Sequence, residues 1–305
     1  MSRRGLLYFT LSEIKPRIWF MLAGCNFRCR GCFRPARDVD ATLLTPEETL
    51  QKAEQACLNY YGKLPVEAII TGGEPTINKE YLLNLIKGLK EKGIEEIILM
   101  TNGYEIGREE NGNYASELRE AGLTEAYVDL KAFSERVHEW YTGKSNKPVL
   151  NAIKKLNDAR IELLIQTVYM PGIVDEKEIE RMAEFLSSQD KEMKYQINPF
   201  SLALAHEKVT RLPTIEEMKR AYEIAYKYLP NAMVSRSGCA REYPVLPPQK
   251  TWITVYPDLT FERRTVKEQY EEHIEWLGSA RPREEINADR VREVELHDKI
   301  VRTRF

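Results

Sequence analysis

The sequence predicts an α/β fold, a partial parallel (β/α)6 barrel with a C-terminal α+β extension. Three observations carry this. Six short apolar runs alternate with longer amphipathic stretches between about residues 15 and 200. The amphipathic stretches open on readable helix caps. Every Gly-rich or unusual polar motif lies at or just beyond the end of one of the apolar runs, which in parallel βα units places them all on one rim.

The strand candidates are RIWFMLAG, VEAIITGG, EEIILMTN, AYVDLKAF, IELLIQTVYM and YQINPF. They are bounded by Gly, Pro or Asn and read as strands buried on both faces. Between them, Thr45-Pro46-Glu47-Glu48 combines an N-cap Thr, a Pro at the first helical position and a Glu at N3. Asn78 caps NKEYLLNLIKGLKEK, with Gly93 as its stop. Asp175 with Glu178 opens the helix EKEIERMAEFLSS. Beyond the sixth strand, Thr214 and Glu217 start a helix running to about Tyr228. WITVYPDLTFERRT then alternates like a hairpin around Pro257-Asp258. The expected division is a barrel over residues 1–201 and an extension over 202–305.

The bulk numbers describe an ordinary globular chain. It has 305 residues, 43% apolar and 30% charged, with a net charge of −2. That balance gives no hint of a nucleic-acid or membrane partner. No run approaches the ~20 apolar residues of a membrane span, and the N-terminus lacks the apolar core of a signal peptide. A cytoplasmic monomer is expected.

Three of the five cysteines, Cys25, Cys29 and Cys32, fall within one CNFRCRGC loop after the first strand. In a reducing compartment such crowding points to metal rather than to disulfides. Three thiolates so spaced can wrap a cubic iron–sulfur cluster, which normally takes four cysteines, and leave one iron open. A structural zinc site usually needs two C-x2-C knuckles, and only one such pair is present. A non-catalytic iron–sulfur or zinc binding protein remains the alternative class from these residues alone.

CNFRCRGC, a C-x3-C-x2-C run, together with TGGEP after the next strand, resembles the radical S-adenosylmethionine superfamily over residues 15–200. The resemblance implies an anaerobic enzyme with a [4Fe-4S] cluster on Cys25, Cys29 and Cys32. S-adenosylmethionine would chelate the open iron and be cleaved to a 5′-deoxyadenosyl radical. It also implies cofactor contacts from Gly72, Gly73, Glu74, Pro75, Thr101 and Asn102. There the glycines would admit the methionine part, and Glu74 would offer a carboxylate to its ammonium group.

AYVDLKAFSERVHEWYTGKSN, followed by TVYMPGIVDEKEIERMAEFL, is similar to the activating enzymes of glycyl-radical enzymes, typified by pyruvate formate-lyase activase. That similarity puts Asp129 and Lys131 at the cofactor or partner-glycine cleft as catalytic candidates. Two apart on a strand, they share one face. His138 matches a His of the same segment. The chain departs from the activase pattern at Gly31, where an aromatic residue is usual and Phe33 would supply the ring. It departs again at Met100, in place of an acidic cation ligand, and at Gln166, in place of an Arg near the cofactor. The leading function is therefore radical transfer to a glycine of a partner enzyme. The alternative keeps the chemistry but acts on a small molecule or modified nucleotide.

Cys57 lies in phase with Leu50, Ala53 and Tyr60 and reads as core. Cys239 reads as a packing or surface thiol, with a remote cluster ligand or a thiol near the radical site as alternatives, and His206, His273 and His297 have no ligand spacing. Arg3, Arg4, Lys15, Arg17, Arg28, Arg30, Arg34 and Arg37 form a basic N-terminal group. It would suit an acidic electron donor such as flavodoxin or ferredoxin, or a phosphorylated substrate.

Overall fold

The computed structural model describes residues 2–12, 15–30, 32, 41–109, 112–200, 213–234 and 251–265. It opens on a strand that the basic N-terminus does not announce, β1 (Arg4–Ser12), antiparallel to β2 (Arg17–Leu22). After the cysteine loop come β3 (Thr42–Leu44) and α1 (Pro46–Tyr61). Helix α1 carries the expected reciprocal cap between Thr45 and Glu48. Then follow β4 (Glu67–Gly72), α2 (Lys79–Glu91), β5 (Glu96–Thr101), α3 (Tyr104–Arg108), α4 (Tyr114–Ala121), β6 (Glu125–Asp129), α5 (Glu135–Thr142), α6 (Lys147–Asp158), β7 (Glu162–Tyr169), α7 (Glu176–Gln189) and β8 (Lys194–Pro199). The described chain ends with α8 (Ile215–Tyr226), β9 (Ala232–Val234), β10 (Thr251–Val255) and β11 (Phe261–Thr265).

The six expected strands are β2, β4, β5, β6, β7 and β8. They pair in that order and all in parallel. The short β9 adds a further parallel strand beyond β8. At the opposite edge the β10–β11 hairpin turns at Pro257-Asp258 and pairs antiparallel with β1. The chain thus mends both ends of the open barrel with late or early segments, which leaves fewer bare strand edges.

Alternation along the strands separates two faces. Phe20, Ile70, Leu99, Val128, Ile165 and Ile197 point toward the helices and are fully buried. Their neighbours Met100, Tyr127, Leu164, Gln166, Gln196 and Asn198 are only half-buried. β4 is buried on both faces, as its apolar run suggested, whereas β6, β7 and β8 alternate and bury only one. A barrel that does not close leaves its concave side open.

Asn78 caps α2 through the Tyr81 amide, and Asp175 caps α7 through the Lys177 amide. Glu178 does something else. Its Oε2 accepts the amides of Phe133 (2.7 Å) and Ser134 (2.9 Å), tying α7 to the start of α5. No helix of the described residues is long and apolar enough to cross a membrane.

Candidate active site

Because the strands are parallel, their C-terminal ends share a rim. Cys25 lies three residues beyond β2, Gly72 ends β4, Thr101 ends β5 and Asp129 ends β6. The cysteine loop is fixed there from both sides. On one side the Asn102 amide side chain donates to Asn26 Oδ1 at 2.8 Å, and Asn26 Nδ2 donates to Glu105 at 2.9 Å. On the other, the amide of Arg28 donates to the Thr142 carbonyl (2.9 Å) and that of Arg30 to Tyr141 (2.8 Å). Arg30 Nε also donates to the Trp140 carbonyl at 2.9 Å. These are the last carbonyls of α5, which have no partner within the helix, so loop and helix end satisfy one another. Phe27, 2% exposed, is wedged edge-on between Tyr104 and His138.

Cys25, Cys29 and Cys32 are partly exposed thiols outside any disulfide and within electrostatic reach of one another. Burial pushes the Cys25 and Cys29 thiols up to about 12, opposed chiefly by the Phe27 amide at Cys25 and by Lys131 at Cys29. Among the described residues they are not drawn together tightly enough to chelate a single ion. Three thiols on one anchored loop are the donor type that an iron–sulfur cluster takes.

The next rim loop is built around Glu74. Its carboxylate, 1% exposed, accepts from the Thr76 amide (3.0 Å), Thr76 Oγ1 (2.6 Å), Thr101 Oγ1 (2.6 Å) and the Asn102 amide (2.7 Å). Burial raises its pKa, and these four donors oppose that rise. Chain donors occupy this carboxylate, and it ties the β4 and β5 rims together. Its backbone amide donates to the Gly24 carbonyl and that of Gly73 to Leu22, both at 2.8 Å. A Cβ on Gly72, whose φ is +121°, would overlap Leu22, and one on Gly73 would overlap Gly24. The two glycines are thus required by the close passage of two strand ends, before any ligand is considered. Pro75 follows, buried, at the start of a short 3-10 turn.

Asp129 and Lys131 do share a face and form a 3.0 Å ion pair. Gln166 is the register partner of Asp129 on β7, and its backbone carbonyl accepts the Leu130 amide at 2.9 Å. His138, fully buried, lies behind the cysteine loop. Its Nδ1 is 2.7 Å from the Lys144 carbonyl.

The basic N-terminal group does not stay together. Lys15 and Arg17 pair with Glu67 at 2.5 and 3.0 Å, at the opposite ends of the strands. Arg3 faces Glu48. Arg4 is buried, with its guanidinium on the carbonyls of Ala23, Gly24 and Glu74. Only Arg28 and Arg30 are exposed on the described part of the cysteine loop. Arg4, Asn26 and Glu105 are site residues that motif reading missed: Asn26 fills an unspecified position of the cysteine run, and Arg4 and Glu105 lie in no recognisable pattern. Cys57 is buried core, as expected. Gly31, Phe33, Arg34, Arg37, Cys239, His206, His273 and His297 lie outside the described residues.

Comparison with known proteins adds to this geometry. Residues 19–186 match the Radical SAM superfamily. A Methanocaldococcus jannaschii protein provisionally named a glycyl-radical enzyme activating enzyme is 33% identical over 234 residues, 75% of this chain and 85% of that one. A pyruvate formate-lyase-activating enzyme of Staphylococcus aureus is 26% identical over 218 residues, 65% and 84% of the respective chains. Among solved structures, the fold resembles Streptococcus suis SuiB bound to S-adenosylmethionine. The TM-score is 0.54 at 16% identity, over 74% of this chain and 54% of that one.

Proposed function

The chain belongs to the Radical SAM superfamily, and we propose that within it this enzyme is an activating enzyme that generates a radical on a glycine of a partner protein. Its cofactors are a [4Fe-4S] cluster and S-adenosylmethionine. When bound, they supply one-electron cleavage of the sulfonium and a radical that abstracts hydrogen. The protein's part is to bind, orient and shield.

In this reading Cys25, Cys29 and Cys32 hold the cluster, and the anchors on Asn26, Arg28 and Arg30 keep their loop rigid. The rim of Gly72, Gly73, Glu74 and Pro75, with Thr101 and Asn102, forms the wall facing the methionine part. Glu74 acts through the chain, fixing that wall in place. Asp129 and Lys131 present a carboxylate and an ammonium on the open face near Cys29. Gln166 offers a neutral amide beside them, with Phe33 assigned to the adenine. Exposed Arg28 and Arg30 receive an acidic low-potential donor of the flavodoxin or ferredoxin kind.

The observation that carries the glycine target is the shared length with two activating enzymes, 85% and 84% of their chains. The test is anaerobic reconstitution, reduction and an assay for 5′-deoxyadenosine. Electron paramagnetic resonance of a candidate glycyl-radical partner follows. A glycyl doublet that appears only with the enzyme and S-adenosylmethionine supports the proposal. Cofactor cleavage without any doublet across the partners encoded beside it would turn the assignment toward a small-molecule or nucleotide substrate.

A further inference from the structure

Arg4 is 6% exposed, yet it makes no ion pair among the described residues. Burying a cation is costly unless something compensates it. Here the compensation is three backbone carbonyls. Nε donates to Ala23 O at 2.9 Å, and Nη2 donates to Gly24 O at 3.2 Å and Glu74 O at 2.7 Å. The guanidinium's rigid fork suits such a span, whereas a lysine ammonium would be a point charge on a flexible stem.

The location of those carbonyls gives the clamp its meaning. Ala23 and Gly24 lead directly into Cys25. Glu74 is the centre of the neighbouring rim loop. Arg4 therefore ties the root of the cysteine loop to the wall beside it, from a strand outside the six βα units. Its charge acts on Cys25 and on Glu74. Carbonyl dipoles offset a cation only in part, and the buried Glu74 carboxylate is the nearest opposing charge. A thiolate-ligated cluster and a carboxylate-bearing cofactor would add anionic charge within reach of the same cation.

We propose that Arg4 is a positioning residue that sets the spacing between the cluster loop and the S-adenosylmethionine wall and electrostatically favours the reduced cluster. This rests on the reading that Cys25, Cys29 and Cys32 hold the cluster.

The test compares reconstituted wild type with Arg4→Met, which removes charge and donors, and Arg4→Lys, which keeps the charge alone. Iron and sulfide content are measured first, then the cluster's reduction potential. Affinity for S-adenosylmethionine is read from the change in the reduced cluster's paramagnetic spectrum. Loss of one charge-assisted hydrogen bond corresponds to about tenfold in affinity or more. Arg4→Met is expected to hold a cluster of lower potential and to bind S-adenosylmethionine about tenfold more weakly. Arg4→Lys is expected to keep the potential but still lose affinity. An Arg4→Met protein with an intact cluster and unchanged potential and affinity would overturn the proposal. If Arg4→Met does not take up iron, wild-type affinity in Arg4→Lys overturns the spacing role. A wild type that itself takes up no cluster would refute the underlying cluster assignment instead.

Discussion

Lys131 Nζ stands 3.0 Å from Asp129 Oδ2, and the two partners are unequally sheltered: the Asp129 side chain is 40% exposed and that of Lys131 only 14%. Lys131 also lies over the Tyr141 ring, 6.0 Å from its centre. Tyr141 in turn supplies the carbonyl that receives the Arg30 amide of the cysteine loop. Burial by itself lowers the Lys131 pKa, but Asp129, followed by Tyr141 and Cys29, more than reverses this and holds it above the ordinary lysine value. Lys131 is therefore a fixed cation, suited to orienting an anion and unsuited to taking up a proton.

Asp129→Asn removes the charge that holds Lys131 in place while keeping the shape. Because Asp129 is substantially exposed, the stability cost should be small, about 1 kcal/mol. The functional cost should be larger, because Lys131 loses its fixed direction: 5′-deoxyadenosine formation is expected to fall at least about tenfold with cluster content unchanged. Lys131→Met should act in the same sense. Cleavage rates within twofold of wild type in both variants would show that the pair is only structural.

Gly73→Ala tests the close passage of the β2 and β4 ends. The new methyl would overlap the backbone of Gly24, which cannot move aside as the tip of a flexible side chain could. The strand ends must separate, pulling on the residue before Cys25. The expected result is a folded protein with reduced iron uptake and a stability loss of about 1–3 kcal/mol, the usual range for overpacking. Iron analysis and denaturant unfolding measure the two effects, and normal iron content would dissociate this glycine from the cluster loop.

The six parallel strands and their shared rim were legible because each strand is a short apolar run ending on a conspicuous motif. The cysteine loop and the Asp129–Lys131 face were legible for the same reason: chemistry-bearing residues at fixed local spacing. What the sequence hides is whatever depends on long-range contact. Arg4 and Glu74 are 70 residues apart, and nothing local marks that arginine as buried rather than solvated. Glu178 has the spacing of a helix cap, yet a tertiary contact with Phe133 and Ser134 takes it. The split of the basic residues between the two ends of the barrel follows strand direction, so it emerges only once the strands are paired.

His138 makes stability pH-dependent in a defined direction. Its Nδ1 faces the Lys144 carbonyl and so carries the proton, while Nε2 is buried with no partner among the described residues. Burial lowers its pKa, outweighing the upward influence of the Lys144 carbonyl. The unfolded chain, with a value near ~6.5, then binds this proton more readily than the folded one. Stability from this group is thus present above about pH 6.5 and is lost as pH falls toward the folded value. Thermal unfolding of wild type and His138→Gln, compared between about pH 7.5 and 5.5, should show a shallower dependence in the variant. Parallel curves would mean that His138 is not a source of the slope.

Arg28 and Arg30 are exposed on the described part of the loop that carries the cysteines. Arg30 is held against α5, its guanidinium 5.5 Å from the centre of the Trp140 ring and its Nε on the Trp140 carbonyl. Arg28 shows only its backbone anchored there, through the Thr142 carbonyl. Two cations displayed so close to the proposed cluster would steer an acidic protein donor but matter little to a small reductant. Arg28→Glu and Arg30→Glu together should slow cluster reduction by flavodoxin at low salt by about tenfold or more. Reduction by dithionite should stay near the wild-type rate. Raising the ionic strength should narrow the flavodoxin difference, since exposed charges are screened over about 10 Å at 0.1 M salt. Equal slowing with both reductants would place the effect in the loop's own geometry and remove the case for a docking surface.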